Sequence, residues 1–386
     1  MAEPSARYDV YETKCQTIYH GLGSHEILAD ILEANHIRKV LLVCDGAFPY
    51  LEIGKYFSTL SVPIVVFNGF SSNPRYDSVR EGVELLNAEQ CDWIVAVGGG
   101  SSLDVAKCIK LFGRMDPGMN FMSQEYRDND IHLVAIPTTS GTGSESTRYA
   151  VIYFDGEKQS ITHDSIIPEY AILDSISLRT LPLYQKKCTM LDALCQGIES
   201  WWSINSTRES IDYSKQAIDL IVSHMESYLA NEDAGNDRML LGSNYAGRAI
   251  CITQTTAPHA MSYKLTSMFG LPHGHAVAIC LPRVWRYMVS HLDRCKDPRG
   301  AEYLRNVFEN ISIAFAGSPD VENAINVFSE LLRKLGIDSP ENVSNAQITL
   351  LADSVNPVRL KNNPVSLSEE VLLRMYNSIA QNNRWD

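Results

Sequence analysis

Four short apolar runs in the first part of the chain constrain the fold more than any other feature of the sequence. They are KVLLVCD (39–45), PIVVF (63–67), WIVAVGGG (93–100) and HLVAIPTT (132–139), and amphipathic segments such as DSVREGVELLNAE (77–89) separate them. Continuous Val, Ile and Leu runs suit strands that are buried on both faces. Their alternation with helical segments is typical of a parallel sheet wound by helices. We therefore predict an α/β domain whose ligands bind beyond the carboxyl ends of the strands.

Helical periodicity replaces this alternation after LRTLPLYQK (178–186), and residues 183–202 are predicted to form one long helix. A chain of 386 residues is long enough to bury two hydrophobic cores. The sequence therefore predicts two domains, an α/β domain over residues 1–180 and an all-helical domain over residues 181–386.

Three consecutive glycines (98–100) join the third apolar run to the helical pattern of SSLDVAK (101–107). Without Cβ atoms, the backbone N–H groups of such a turn can approach an anion closely, and the helix N-terminus adds a partial positive charge. The place between strand and helix favours a diphosphate site over a simple turn, although the pattern is not GxGxxG. Lys107 could reach back to a phosphate or a ribose. A solvated pair of Asp104 and Lys107 is the alternative.

Small hydroxyl residues and glycine dominate the loop that follows the fourth run, IPTTSGTGSESTRYAVI (136–152). Their side chains offer hydrogen-bond donors and acceptors without bulk, as a loop wrapped around a nucleotide requires; a plain flexible loop is the alternative. Asp45 closes the first run, where a carboxylate can accept hydrogen bonds from the ribose hydroxyls of an adenosine. Because the same charge would repel a 2′-phosphate, Asp45 favours NAD over NADP.

Four residues of the second half have the types and spacing of a metal site. Asp192 and Gln196 stand four residues apart in the predicted helix 183–202, so their side chains share one helix face. His259 and His273 would add the imidazole nitrogens that divalent iron or zinc accepts. Taken alone, such an Asp–Gln pair is more often a solvated face and a single histidine more often structural. The metal prediction therefore depends on the nucleotide signals that precede it.

Composition excludes several classes of partner. The formal net charge is −13 and lysines and arginines form no run, which argues against a nucleic acid or an anionic membrane. No apolar stretch approaches the roughly 20 residues that span a bilayer, and MAEPSARYDV at the N-terminus lacks the features of a signal peptide. The nine cysteines include no CxxC pair, which is typical of reduced thiols. We expect a cytoplasmic protein with a small-molecule ligand.

Together these motifs resemble the iron-containing (group III) alcohol dehydrogenase family, which is related more distantly to glycerol dehydrogenase and dehydroquinate synthase. The resemblance extends from about residue 16 to at least residue 290. It depends on GGGSSLDVAK, TTSGTGSE, DALCQGIES and a pair of histidines fourteen residues apart that ends in PHGHA. It implies an N-terminal dinucleotide-binding domain, an all-helical metal and substrate domain, a cleft between them, and a homodimer.

The resemblance also implies roles for individual residues. At the cofactor, the residues implied for the diphosphate are Gly98, Gly99, Gly100, Ser101 and Asp104. The residues implied beside the nucleotide are Thr138, Thr139 and Thr142, with Lys158 at a further nucleotide-side position. The residues implied as ligands of a divalent metal, Fe(II) or Zn(II), are Asp192, Gln196, His259 and His273. The implied reaction is the NAD(P)H-linked reduction of a small aldehyde to the primary alcohol, with the metal polarising the aldehyde oxygen.

Two positions depart from the family pattern. Gln196 stands where the family usually has a third histidine, and Tyr263 stands where it often has a further one. An amide oxygen is a weaker donor for a transition metal than an imidazole nitrogen, so a metal-free, catalytically silent relative is an alternative. Tyr263 could relay a proton in catalysis, and packing is the alternative for this side chain.

The substrate is suggested by the segment TTAPHAMSYKLTSMFGLPHGHAVAICLP (255–282), which resembles the family branch that reduces phosphonoacetaldehyde to 2-hydroxyethylphosphonate. Arg148 and Lys264 are cations near the cofactor and metal motifs that could bind a phosphonate dianion; an ordinary surface position is the alternative for each. Two other activities stay open. One is a dehydrogenase of an uncharged short-chain alcohol or diol, of the lactaldehyde/propanediol or butanol type. The other is a dehydroquinate synthase-like lyase, which the TTSGTGSES loop and the PHGHA ending disfavour.

Overall fold

The computed structural model describes residues 8–381. The contacts within the chain group it into two compact units. The first unit contains the chain up to Leu181 together with Ala230–Gly247, and the second contains Pro182–Leu229 together with the chain from Arg248 onward. Most of MAEPSARYDV, on which the expectation about a signal peptide depends, lies outside the described residues.

A seven-stranded sheet lies at the centre of the first unit. Its strands are β1 (Asp9–Glu12), β2 (Thr17–His20), β3 (Val40–Cys44), β4 (Ile64–Phe67), β5 (Trp93–Gly98), β6 (His132–Pro137) and β9 (Tyr170–Leu173). The order across the sheet is β1-β2-β9-β6-β5-β3-β4, and every neighbouring pair is parallel except β1 with β2. A separate antiparallel hairpin consists of β7 (Tyr149–Phe154) and β8 (Glu157–Thr162).

Two hydrophobic clusters bury the two faces of this sheet. The helices of the unit are α1 (Ile27–Ala34), α2 (Glu52–Phe57), α3 (Tyr76–Ala88) and α4 (Gly100–Phe112), and it also holds most of α7 (Asp233–Thr253). Leu41 and Val43 of β3 belong to the cluster that contains side chains of α3 and α4. Leu42 and Cys44 belong to the cluster that contains side chains of α1 and α2. Because successive strand residues point to opposite faces, only an unbroken apolar run can supply both clusters.

The predicted α/β fold class is confirmed, since the four apolar runs form the neighbouring parallel strands β3, β4, β5 and β6. The sheet also has strands that the apolar pattern did not predict. In β1, the sequence DVYE is mostly exposed and pairs antiparallel with β2, so it has no apolar run to signal it. The sheet is therefore mixed at one edge.

Helices make up the second unit. They are α5 (Leu183–Trp202), α6 (Arg208–Leu229), the end of α7, α8 (Ala257–Phe269), α9 (His273–Ser290), α10 (Ala301–Ala316), α11 (Val321–Leu335), α12 (Asn345–Asp353) and α13 (Glu369–Ala380). The predicted long helix 183–202 is α5, which packs against α6 and α9, and α8 packs against α9. This arrangement brings α5, α8 and α9, which carry the predicted metal ligands, next to one another.

Within residues 8–381, no helix combines the length and the apolar character needed to cross a bilayer. All nine cysteines are free thiols, as the sequence predicted.

Candidate functional site

The glycine turn joins the end of β5 to the start of α4 and requires glycine for steric reasons. Gly98 has φ 156°, and a Cβ atom there would overlap the side chain of Ser102. A Cβ on Gly100 would lie 2.9 Å from Cγ2 of Thr142. The turn therefore presents bare backbone at the N-terminus of α4, which is the arrangement that a diphosphate needs.

The residues beside this turn lie at the carboxyl ends of the parallel strands. Asp45 directly follows β3, and its Oδ2 accepts a hydrogen bond from the hydroxyl of Ser102 at 3.4 Å. The other carboxylate oxygen of Asp45 accepts a hydrogen bond from the backbone N–H of Ala47 at 2.9 Å. Ser101 is half-buried and donates its hydroxyl to the carbonyl of Ser72 at 2.6 Å. Asp45 thus lies where a ribose that follows a diphosphate on this turn would be expected.

The hydroxyl-rich loop packs against the same turn. The backbone N–H of Thr138 donates to the carbonyl of Gly98 at 3.0 Å. Thr139 lies beside Gly99, where an added Cβ would be 3.3 Å from its Cγ2 atom. Thr142 accepts a hydrogen bond from the backbone N–H of Ser144 at 3.2 Å, which shapes the loop. The structure therefore brings the threonine loop and the glycine turn together, as the sequence predicted for two parts of one site.

Lys107 stabilises this loop through hydrogen bonds, and its side chain is not directed at the predicted nucleotide site. Its side chain is fully buried, and its ammonium donates to Oγ of Ser144 (2.9 Å), Oγ1 of Thr147 (3.0 Å) and the carbonyl of Tyr149 (2.9 Å). The expectation that Lys107 reaches a phosphate or a ribose is wrong, and so is the alternative of a solvated pair with Asp104. The second turn of α4 faces the loop and the hairpin, so its polar groups are used to hold them.

Asp104 has a similar bracing role in the structure. Its carboxylate accepts hydrogen bonds from the hydroxyl of Ser144 at 2.8 Å and from the backbone N–H of Val151 at 2.9 Å. Burial raises the pKa of Asp104, while the charges of Lys107 and Lys158 act in the opposite direction. Lys158 is half-buried on β8, opposite Tyr153. Contacts of Asp104 and Lys158 with a cofactor stay predictions.

A second cluster of polar side chains lies in the helical unit. Asp192 and Gln196 lie on one face of α5, His259 lies in the first turn of α8, and His273 is the first residue of α9. Asp192, Gln196 and His259 are each at most 4% exposed, whereas the side chain of His273 is 34% exposed. The structure thus brings together all four residues that the sequence predicted as metal ligands, and it leaves the cluster accessible on the side of His273.

The geometry of this cluster fits a divalent metal. Potential ligand atoms of Asp192, His259 and His273 all lie within 4.8 Å of one another. Nε2 of His259 is 3.4 Å, and Nε2 of His273 is 3.9 Å, from Oδ1 of Asp192. Within residues 8–381, three buried atoms of the cluster have no hydrogen-bond partner, namely Oδ1 of Asp192, Oε1 of Gln196 and Nε2 of His259. Buried polar atoms are normally paired, so three buried atoms without a partner on neighbouring residues indicate a cation site.

The glycine of the PHGHA motif allows α9 to begin against α5. A Cβ on Gly274 would overlap the carbonyl of Cys188 and would lie 2.8 Å from Cβ of Asp192. Pro272 precedes the helix with φ −54° and ψ 145°, so the helix starts at His273. The sequence PHG therefore fixes His273 at the point where α9 comes closest to Asp192.

Glu199 is a functional candidate that the sequence analysis missed. Its fully buried carboxylate lies 2.5 Å from Nδ1 of His259. The second oxygen of Glu199 accepts hydrogen bonds from the backbone N–H (2.7 Å) and the hydroxyl (2.8 Å) of Thr256. The indole N–H of Trp202 in turn donates to the Thr256 hydroxyl at 2.8 Å. A carboxylate on Nδ1 fixes the orientation of the ring, so that Nε2 faces Asp192.

The charges of the cluster shift its acid–base equilibria. Burial alone would raise the pKa of the Asp192 carboxyl, but the neighbouring His273 and His259 outweigh burial and lower it. Burial alone would lower the pKa of His259, but Glu199 and Asp192 on either side raise it to about 9. The cluster is thus built around two carboxylates that favour a positive charge between them.

Tyr263 lies next to this cluster. Its ring stacks on the ring of His273, with 5.8 Å between centroids and an interplanar angle of 6°. Burial raises the pKa of the Tyr263 hydroxyl, and the charge of Arg359 and a hydrogen bond with the side chain of Thr255 partly offset this effect. The hydroxyl is therefore protonated at neutral pH. The Tyr263 ring therefore packs against His273, and proton relay stays a prediction.

The two predicted anion-binding cations differ in their surroundings. Arg148 lies in the first unit, next to β7, and pairs with the exposed Asp164 at 3.2 Å. Lys264 is half-buried on α8, beside Tyr263, and its ammonium has no hydrogen-bond or ion-pair partner among residues 8–381. Lys264 therefore has the freer charge of the two.

A signal for Glu199 was present in the sequence. Glu199 follows Asp192 by seven residues and Gln196 by three, so the three side chains lie on one face of α5.

A glycine turn after a parallel strand and a buried carboxylate–histidine cluster on neighbouring helices define a nicotinamide-dependent, metal-using oxidoreductase. Residues 15–175 match the model of the iron-containing alcohol dehydrogenase family, and residues 187–380 match the C-terminal model of the Fe-containing alcohol dehydrogenase family. The chain belongs to the iron-containing alcohol dehydrogenase family.

Individual relatives agree with this assignment. The chain is 32% identical over 329 residues to a phosphonoacetaldehyde reductase from Streptomyces viridochromogenes, covering 81% of this chain and 82% of the relative. It is 29% identical over 338 residues to an NADPH-dependent butanol dehydrogenase from Clostridium saccharobutylicum, covering 83% of each. Among solved structures, the sulfoacetaldehyde reductase from Bifidobacterium kashiwanohense in complex with NAD+ has a TM-score of 0.86 at 25% identity. This likeness covers 97% of this chain and 99% of that one.

The predicted enzyme class and cofactors are thereby confirmed. The protein is an NAD(P)-dependent alcohol dehydrogenase or aldehyde reductase, of a family that uses NAD(P) and a divalent metal. The substrates of this class are small aldehydes and alcohols.

Proposed function

We propose that the protein reduces phosphonoacetaldehyde to 2-hydroxyethylphosphonate with NAD(P)H, with a divalent metal bound by Asp192, Gln196, His259 and His273. The metal part of this proposal is carried by the ligand atoms of Asp192, His259 and His273, which all lie within 4.8 Å of one another. Two of these atoms, Oδ1 of Asp192 and Nε2 of His259, are buried without a hydrogen-bond partner among residues 8–381. The phosphonate part is supported by the 32% identical phosphonoacetaldehyde reductase and by Lys264, a half-buried cation next to Tyr263 on α8.

Each residue has a defined task in the proposed reaction. When bound, the metal supplies Lewis-acid polarisation of the aldehyde oxygen, and the nicotinamide supplies the hydride. Glu199 keeps Nε2 of His259 directed at the cluster. Tyr263 holds a proton on its hydroxyl at neutral pH and is the proposed donor to the alkoxide oxygen that the reduction creates.

The nucleotide tasks belong to the first unit. Gly98, Gly99, Gly100 and Ser101 would hold the diphosphate through backbone N–H groups, with the loop of Thr138, Thr139 and Thr142 around the nucleotide. Asp45 would accept hydrogen bonds from the adenosine ribose, so we propose NADH as the preferred reductant. We also propose that the enzyme is a cytoplasmic homodimer with a nucleotide domain at residues 1–180 and a metal and substrate domain at residues 181–386.

A substrate panel tests the proposal. Purified protein reconstituted with Fe(II) or Zn(II) is assayed with phosphonoacetaldehyde, lactaldehyde and propanal, by cofactor oxidation with NADH and with NADPH. We expect the highest kcat/KM for phosphonoacetaldehyde with NADH. A higher kcat/KM for propanal or lactaldehyde would instead support a dehydrogenase of uncharged short alcohols, which the butanol dehydrogenase relative favours.

A further inference from the structure

Arg359 is unusual among the arginines of this acidic protein. Within residues 8–381, only Arg208 and Arg359 have a guanidinium without a hydrogen bond, ion pair or ring contact. Arg208 is exposed, whereas Arg359 is half-buried. A partly desolvated cation without a partner is unfavourable in the free protein, so its place in the fold indicates an anion that is not part of the chain.

The segment that carries Arg359 is firmly held. Residues 359–362 form a 3-10 helix that packs against α8. At its end, the buried Asn362 donates to Oε1 of Gln254 at 2.8 Å and to the carbonyl of Thr255 at 3.2 Å. Its side-chain oxygen accepts a hydrogen bond from Asn205 at 3.0 Å. Arg359 is therefore fixed beside the residues that lead into α8, the helix of His259.

The segment of Arg359 is also linked to the metal cluster by contacts that run through Thr255 and Tyr263. The Tyr263 hydroxyl bonds to the side chain of Thr255, in the same stretch that Asn362 holds. Burial raises the pKa of this hydroxyl, and the positive charge of Arg359 acts in the opposite direction. The Tyr263 ring in turn stacks on His273, the most exposed of the proposed ligands, so this chain of contacts leads from the 3-10 helix of Arg359 to the cluster.

We propose that Arg359 binds the anionic group of the substrate, a phosphonate or sulfonate carried on the carbon next to the aldehyde. This inference rests on the proposed function and assigns its substrate specificity to one residue. An anion that enters this cluster meets the carboxylates of Asp192 and Glu199, so a fixed cation is needed to offset their repulsion. A guanidinium also matches the geometry of phosphonate or sulfonate oxygens with two parallel hydrogen bonds.

The test compares three aldehydes of similar size on the metal-loaded enzyme. Phosphonoacetaldehyde carries a phosphonate, sulfoacetaldehyde a sulfonate, and propanal no charge. In Arg359→Gln we expect KM for both charged aldehydes to rise by at least about tenfold, as expected for the loss of a charge-assisted contact. For propanal, KM should stay within about twofold of wild type because no charge-assisted contact is lost, and an unchanged melting temperature shows that the variant is folded. The larger loss identifies whether the phosphonate or the sulfonate is the intended group.

Matched variants make the result specific. Lys361→Gln removes an exposed charge from the same 3-10 helix and should leave all three substrates unchanged. Arg359→Lys should recover part of the loss for the charged aldehydes. Equal losses for propanal and the charged aldehydes, or no loss at all, would overturn the assignment. So would a selective loss in Arg148→Ala combined with none in Arg359→Gln.

A binding measurement separates failure of this inference from failure of the proposed function. If wild type reduces neither charged aldehyde better than propanal, the proposed function is refuted, but the anion-binding role of Arg359 is not yet decided. Ethylphosphonate binding by calorimetry to wild type and Arg359→Gln then decides the role of Arg359 directly. Binding that the variant loses supports an anion site, and absence of binding to wild type refutes it.

Discussion

At the scale of single residues, Gln196 is the position that most distinguishes this cluster. Its buried amide oxygen has no hydrogen-bond partner in the described part of the chain, and Gln196 lies four residues from Asp192 on the same face of α5. An amide oxygen binds transition metals more weakly than an imidazole nitrogen does. The two neighbouring histidines and Asp192 would still supply three strong ligands. The cluster is therefore suited to a metal that is bound but not tightly held.

This property gives a prediction for Gln196→His. An imidazole in place of the amide should strengthen Zn(II) binding by at least about tenfold, because it adds a better donor to an otherwise unchanged cluster. The dissociation constant can be measured by competition with a chromophoric chelator, independently of activity. Gln196→Ala, which removes the donor, should weaken binding. If both variants bind Zn(II) as wild type does, Gln196 is not a ligand.

Glu199 gives a second prediction at this scale. Glu199→Gln keeps the shape of the side chain but removes the charge that faces Nδ1 of His259. We expect Zn(II) affinity to fall by about 10–100-fold, the usual effect of losing a carboxylate behind a histidine ligand. The melting temperature of the metal-free variant reports separately on the hydrogen bonds to Thr256. Unchanged affinity together with a lower melting temperature would assign Glu199 a structural role only.

At the scale of secondary-structure elements, the contact between α5 and α6 buries a charge. Lys186 of α5 is 2% exposed, and its ammonium lies 4.2 Å from the centre of the Tyr228 ring on α6 and 3.4 Å from the Tyr228 carbonyl. Burial lowers the pKa of Lys186 from 10.5 to about 8. The folded protein therefore releases this proton at a lower pH than the unfolded chain does. At neutral pH, where both states carry it, the buried charge destabilises the fold.

Lys186→Met should accordingly stabilise the protein in a pH-dependent way. At about 1.4 kcal/mol per pKa unit, a pKa lowered from 10.5 to about 8 corresponds to at most about 3.5 kcal/mol, so we expect a gain of about 1–3 kcal/mol at pH 7. Between pH 8 and 10.5 the unfolded wild type binds more protons than the folded one, so wild-type stability rises relative to the variant. Urea denaturation of metal-free wild type and variant at pH 7 and pH 10 measures both differences. A difference that does not shrink at pH 10 contradicts this explanation.

The elements also show what the sequence could predict. Strands β3, β5 and β6 are buried on both faces, so their apolar runs are continuous and the strands could be predicted from the sequence. Strand β1 is exposed, and its place at the edge depends on pairing with β2 rather than on an apolar run. The orientation of the Lys107 side chain could not be predicted either, because helical spacing does not reveal which hydrogen-bond acceptors pack against α4.

The same distinction holds for the candidate site. The convergence of Asp192 and Gln196 was predictable from their spacing on one helix, and that of His259 and His273 only from the motif they share with a family. Glu199 follows the same helical spacing and was predictable in principle. Arg359 was not, since its position beside α8 depends on tertiary hydrogen bonds of Asn362 to residues more than a hundred positions away.

At the scale of the whole molecule, the proposed sites for NADH and for the metal lie in different compact units. The glycine turn and the threonine loop lie in the first unit, and the four proposed metal ligands lie in the second. A ligand that binds only the native state stabilises the segments it contacts against local opening. Each ligand should therefore leave its own pattern of protection along the chain.

Hydrogen exchange read by mass spectrometry measures these patterns. We expect NADH alone to slow exchange most in residues 98–107 and 138–147, where backbone N–H groups of the turn and loop would be covered. Zn(II) alone should slow exchange most in residues 192–202 and 256–276, because it would tie α5 to the first turns of α8 and α9. With Glu199→Gln, the Zn(II) pattern should weaken and the NADH pattern should stay as in wild type. Strongest protection by Zn(II) around the glycine turn would contradict the assignment of the metal to the helical cluster.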